Sequence, residues 1–191
     1  MVFLLDNGHG IDTPGKRSPV WSDGNQLFEW QFARDMVARI HLAASAMGVL
    51  TAPIVPEQKD VPLEERVKRA NAWHAATSGG AVLLSIHANA GGGTGFEFYT
   101  SRGQTASDKI ATQLCKCFQV AYPDIKLRQD TSDGDPDKEA DFYILKHTKC
   151  PAVLAELLFM DYEKDCRKLM DAKFRQSMAE NIAKTLKTIG K

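Results

Sequence analysis

The sequence lacks a net charge. Lysine plus arginine equals aspartate plus glutamate at 24 each, so no global field draws it to nucleic acid or to an acidic membrane surface. It is poor in cysteine, with Cys115, Cys117, Cys150 and Cys166 and no Cys-x-x-Cys pair. That argues against a thiolate zinc site. Cys115 and Cys117 stand two apart in an expected helix, so their side chains diverge by about 200° and do not bridge. Reduced thiols in a cytosolic protein are the simplest expectation; one long-range pair, Cys150 with Cys166, is the alternative. No segment reaches the roughly 20 apolar residues of a membrane span. The apolar start, residues 1–5, has no basic leader or small-residue cleavage site and meets Asp6 at once. The expectation is synthesis in the cytoplasm without an export signal of its own. No repeat, low-complexity tract or linker interrupts the 191 residues, so one domain, residues 1–191, is expected.

What is present is a set of short apolar runs that each end in a polar group. The central one is Val82-Leu83-Leu84-Ser85-Ile86-His87-Ala88-Asn89-Ala90, cut off by Gly91-Gly92-Gly93. Its continuous apolar start reads as a strand buried on both faces. Residues 2–6 and 152–156 read the same way, ending in Asp6-Asn7-Gly8-His9-Gly10 and in Glu156. Open α/β sheets place their chemistry at such strand ends.

Between these runs the periodicity turns helical. Residues 26–47 form a helix with Asn25 as its expected cap and Leu27, Trp30, Phe32, Ala33, Val37, Ile40 and Ala44 inward; Glu29 sits one turn in. A strand over 49–52 and a proline-marked loop follow. Residues 63–77 form a charged helix with Leu63, Val67, Ala70 and Trp73 inward. Residues 95–100 alternate as a strand near an edge. Residues 107–121 form a helix burying Ile110, Leu114, Cys117 and Phe118. The acidic stretch 129–141 only loosely has the spacing of a calcium loop: the terminal glutamate is missing and Pro136 intrudes, so solvated turns explain it better. Residues 142–145 read as a short strand, and 162–189 as one helix with Leu169, Phe174, Met178, Ile182 and Leu186 on its stripe. The alternation implies a single α/β domain, a twisted, mainly parallel mixed sheet flanked by helices.

The chemistry-bearing residues are His9, Glu29, His87 and Glu156. Two imidazoles and a carboxylate are a known ligand set for a catalytic zinc, which keeps a fourth position for water. Glu29 is the natural third ligand, because its helix folds back over the sheet after the His9 loop. Glu156 closes an apolar run, where partial desolvation raises a carboxyl pKa and suits it to pass a proton. Each has a plainer explanation: a surface loop histidine, a satisfied core histidine, a helix-start glutamate favoured by the macrodipole, a buried structural carboxylate. Asn89 either bonds substrate or fixes its strand end. Asp6 either orients His9 or caps the turn. His147 is the rival ligand, and His41 and His74 are exposed or packing residues. Lys16, Arg17 and Trp21 either line a groove or decorate a mobile loop.

The run Leu5-Asp6-Asn7-Gly8-His9-Gly10, then Glu29, then Ser85-Ile86-His87-Ala88-Asn89, then residues 151–159, Pro-Ala-Val-Leu-Ala-Glu-Leu-Leu-Phe, resembles the zinc-dependent N-acetylmuramoyl-L-alanine amidases of the Amidase_3 type. Leu63, Arg66 and Asn71 are similar to that family's Leu-x-x-Arg-x-x-x-x-Asn helix. The resemblance covers nearly the whole chain in order. It implies a phosphorylase/hydrolase-like α/β fold, Zn2+ on His9, Glu29 and His87, and Glu156 as the catalytic acid/base. It implies hydrolysis of the amide between N-acetylmuramic acid and L-alanine in peptidoglycan, in an endolysin or an autolysin. Such a chain acts on the cell wall after release or export, as a monomer, with no nucleic-acid partner and no membrane insertion. A zinc peptidase on other amides and a non-catalytic peptidoglycan-binding module are the alternatives. Departures from the family pattern are Asn7, Pro53-Ile54-Val55 where an arginine is usual, and Asp161-Tyr162 after Phe159; they bear on substrate detail.

Overall fold

The computed structural model describes residues 1–190. Six strands form one sheet in the order β2-β1-β3-β6-β4-β5: β1 (Val2–Asn7), β2 (Thr51–Pro53), β3 (Ala81–Asn89), β4 (Phe96–Thr100), β5 (Lys138–Glu139) and β6 (Ala152–Phe159). β2, β1, β3 and β6 run parallel, β4 runs antiparallel to β6, and β5 lies parallel to β4. The sheet is therefore mixed and mainly parallel, as its apolar runs predict. The helices are α1 (Glu29–Ala46), α2 (Leu63–Ala76), α3 (Ala106–Ala121), α4 (Tyr143–His147), α5 (Glu163–Met170) and α6 (Ala172–Ile189).

Two apolar clusters, one on each side of the sheet, fix which helix lies where. Phe3, Leu5, Leu84 and Ile86 pack with Phe32 and Ile40 of α1, Phe118 of α3 and Ile182 of α6. Leu4, Leu83 and Leu154 pack with Val67 of α2 and Ile144 of α4. β3 is covered on both sides, which is why its sequence shows no alternation. Cys150 belongs to the second cluster and Cys166 to the first. The sheet separates them, and all four cysteines are free thiols.

Several local expectations are corrected. α1 starts at Glu29, after Phe28, and has no side-chain cap; Asn25 bonds Asp23 instead. The chain before it is held extended, with Arg17 bridged to Phe28 and Ser18 bonded to Leu27, so the helix cannot begin sooner. Trp30 is only half-buried. Leu63 and Trp73 of α2 are exposed, at 47% and 43%, whereas the charged Arg66 is buried at 2%. In α3 the core thiol is Cys115, not Cys117. Residues 142–145 are not a strand: Phe142 is extended and α4 follows, closed by Tyr143 stacked on His147 at 4.0 Å. The tail is two helices, because Asp171 takes an extended backbone and its carboxylate accepts from the Lys173 N–H to cap α6. β5 lies inside the acidic stretch expected to be irregular.

Candidate active site

The site lies at the carboxyl ends of β1, β3 and β6, where a parallel sheet leaves a crevice. β1 ends in Asn7, and Gly8 still donates to the Ile86 carbonyl of β3. A Cβ on Gly8 would stand 2.3 Å from Cε1 of His87, so only glycine lets that ring lie across the chain. His9 takes a left-handed backbone, φ 63°, which turns its side chain back toward the strand ends. Its carbonyl accepts from Arg34 at 3.0 Å.

Glu29, the first residue of α1, reaches over the ends of β1 and β3. Its Oε1 is 3.0 Å from Nδ1 of His87 and 3.3 Å from Nε2 of His9, and accepts the Ala88 N–H at 3.2 Å. The two imidazoles meet edge to face, centroids 5.0 Å apart. One donor atom from each of the three residues lies within 4.8 Å of the others. Glu29 is buried, and its Oε2 has no hydrogen-bond partner. Burial opposes charge on this carboxyl, but hydrogen bonds from His87 and His9 outweigh it and hold its pKa at about 2. Burial likewise opposes charge on His87, yet Glu29 beside it and Glu156 near it lift its pKa above the ordinary value. The site thus wants a positive charge between its groups. Two nitrogens and a carboxylate whose second oxygen is buried and orphaned fit a divalent metal of borderline softness.

Glu156 stands on β6 as the register partner of His87, and Glu97 of β4 is its partner on the other side. Burial pushes its carboxyl up to about 7, with His87 partly offsetting that rise. Its Oε2 has no partner. Beyond it the β3–β6 register slips, and Leu158 takes φ 68°. A cavity of about 370 Å³ opens beside these groups. Its lining includes His9, His87 and Glu156 together with the apolar Leu63, Phe142 and Leu154.

His9, Glu29, His87 and Glu156 are therefore brought together. Asn89 is placed differently. Its Nδ2 donates to Glu97 and its Oδ1 accepts the Ala90 N–H, so both ends of the amide serve the strand end and none faces the cavity. Asp6 does not touch the His9 side chain; it bonds Ser85 and Arg66. His147 stacks on Tyr143, and His41 bonds Thr51; neither reaches the site. Lys16 lines the cavity, and its carbonyl holds the Glu29 N–H. Arg17 faces a second, smaller cavity, and the Trp21 indole donates to Cys166. Asp161, one of the departures, accepts from the Gly91 and Gly92 N–H groups and fixes the glycine loop after β3. Ser85 and Arg66 carry site contacts that their sequence positions alone did not assign. The signal for Ser85 was its place two residues before His87, on the same face of the strand.

Residues 3–188 match the Amidase_3 family, described as N-acetylmuramoyl-L-alanine amidase. The amidase CwlM of Bacillus licheniformis is 30% identical over 184 residues, 96% of this chain and 66% of that protein. The amidase LytC of Bacillus subtilis is 31% identical over 188 residues, 95% of this chain and 34% of that protein. The chain thus spans from a third to just under two thirds of the length of these relatives. Among solved structures, an N-acetylmuramoyl-L-alanine amidase from Clostridium difficile superposes with a TM-score of 0.81 at 22% identity, covering 98% of this chain and 94% of that one. At that identity the likeness establishes the fold.

Proposed function

This chain belongs to the Amidase_3 family of N-acetylmuramoyl-L-alanine amidases, and from that premise we propose that it hydrolyses peptidoglycan at the amide between the lactyl group of N-acetylmuramic acid and the first L-alanine of the stem peptide. The observation that carries this reading is the convergence of His9, Glu29 and His87, distant in sequence, to within 4.8 Å, with Glu156 directly across the ladder from His87.

His9, Glu29 and His87 are the residues that would hold zinc, and a bound zinc would supply Lewis-acid chemistry and an acidified water at neutral pH. The chain's own residues do the rest. Glu156 takes a proton from the attacking water and returns it to the departing alanine nitrogen. A carboxyl with a pKa of about 7 can do both at neutral pH. The carbonyl–nitrogen bond breaks, leaving a lactyl carboxylate and a peptide with a free L-alanine amino terminus. Leu63, Phe142 and Leu154 give the cavity lining apolar surface, and Lys16 places a positive charge on it. All four chemical groups come from one chain, so a monomer suffices. Peptidoglycan lies outside the cytoplasmic membrane, so the chain acts after release or export, as an endolysin or autolysin does.

The test is digestion of purified sacculi with and without a chelator, with added zinc as rescue, and mass spectrometry of the products. Lactyl ends and free alanine amino termini, lost on chelation and regained with zinc, are expected. Cleavage between stem residues, or binding to sacculi with no soluble product, would overturn the reading.

A further inference from the structure

We propose that Ser85 is a positioning residue for His87: with Asp6 and Arg66 it forms a relay that keeps the His87 proton on Nε2 and leaves Nδ1 free to bind metal. The inference rests on the reading of His87 as a metal ligand.

The relay follows from the sheet. Asp6 on β1 and Ser85 on β3 are register partners, so their side chains share a face. Ser85 and His87 are two apart on one strand and share that face too. The distances close the chain: Ser85 Oγ is 2.5 Å from Asp6 Oδ2, and His87 Nε2 is 3.2 Å from Ser85 Oγ. Arg66 of α2 donates to Asp6 Oδ1 at 2.6 Å. Asp6, Ser85 and Arg66 are all buried, with 2% exposure or less.

The direction of each proton is then forced. The Asp6 carboxylate, paired with a guanidinium, only accepts. The single Ser85 hydroxyl hydrogen therefore goes to Asp6 Oδ2. That leaves Ser85 Oγ only lone pairs to offer His87, so Nε2 must carry the hydrogen. Nδ1, 3.0 Å from Glu29 Oε1, then holds a proton only in the imidazolium, the form that hydrogen-bonds Glu29 and holds its pKa down; in the neutral ring it has none. A lone pair faces a carboxylate, an arrangement that a cation relieves. Arg66 locks the far end: besides Asp6 it donates to the Asn7 and Val61 carbonyls, each within 2.7 Å, and to Asp60. Partners of this kind on the non-ligating nitrogen set both ring orientation and metal affinity.

Two variants test this. Ser85→Ala deletes the acceptor; Ser85→Thr keeps it. Asp6→Asn is sharper. Arg66 holds the amide oxygen, so the amide NH2 faces Ser85 and donates. The hydroxyl must then donate to Nε2, which moves the ring proton to Nδ1. Zinc affinity, measured by competition with a chromophoric chelator, is expected to fall about 10–100-fold in Ser85→Ala and in Asp6→Asn, and to stay near wild type in Ser85→Thr. Nitrogen-15 correlation spectra of the zinc-loaded wild-type protein should show His87 protonated at Nε2, with that proton protected from exchange. Ser85→Ala should lose the protection, and zinc-free Asp6→Asn should shift the tautomer. Wild-type protein that takes up no zinc would sink the ligand reading itself. Zinc binding in Ser85→Ala equal to wild type, with unchanged His87 signals, would overturn the relay alone.

Discussion

Glu156 and His87 occupy the same rung of the β3–β6 ladder. The pairing fixes their separation through backbone hydrogen bonds rather than through a flexible loop. Replacing Glu156 by Gln keeps the shape and removes the proposed base. Metal content should remain at wild-type level while turnover on sacculi falls about 10²–10⁴-fold. Elemental analysis and a murein-solubilisation assay on the same preparation check both halves.

Gly8 is where the chain passes under the His87 ring. Gly8→Ala puts a methyl 2.3 Å from Cε1 of that ring, so the imidazole must move. The expected outcome is a folded protein with zinc affinity lower by about tenfold or more, since misplacing a ligand by even about 1 Å has large effects on a site. Circular dichroism and zinc titration separate loss of the site from loss of the fold.

Arg66 compensates a carboxylate that is almost wholly buried. Asp6 is 2% exposed and its Oδ1 lies 2.6 Å from the guanidinium. Arg66→Ala leaves that charge buried and unpaired, which costs about 3–5 kcal/mol. Urea unfolding should show the loss. The double variant Asp6→Ala/Arg66→Met should recover part of it, because the stranded charge is gone.

Asp137 gives a stability that depends on pH. Burial pushes its carboxyl up to about 7 despite a bond from Thr100, and Asp135 faces it. A folded pKa above the ordinary 3.8 favours the protonated form in the native state. Its contribution is therefore complete below about pH 4 and is lost as pH rises through about 7. Asp137→Asn, which cannot ionise, should raise the melting temperature at pH 8 by a few degrees, about the shift produced by roughly 1 kcal/mol in a chain of this size. The gain should vanish toward pH 4; thermal melts across that range check it.

Much of this was legible in the chain. The apolar runs at residues 2–6, 82–90 and 152–156 became β1, β3 and β6, and their polar ends became the site, because a strand buried on both faces can shed its apolar pattern only where it leaves the core. Local errors arose where partners distant in sequence decided. Arg66 lies inward and Leu63 outward because Asp6 and the carbonyls of Asn7 and Val61 offer a buried guanidinium more than the core offers a leucine. Residues 142–145 hold too few residues for periodicity to separate a strand from a single helical turn. The break at Asp171 shows as an interruption only when its capping bond is seen.

From the sequence alone came the candidate residues for the chemistry and the order of the elements that bear them: identity and period are local properties. The tertiary structure alone decided that Glu29 lies within hydrogen-bond reach of both imidazoles, that Asn89 turns to Glu97 instead of the cavity, and that Asp6 contacts Ser85 rather than the His9 side chain. Each depends on strand register and on the left-handed turn at His9, and register is set by how the whole sheet packs, which no single stretch of chain encodes.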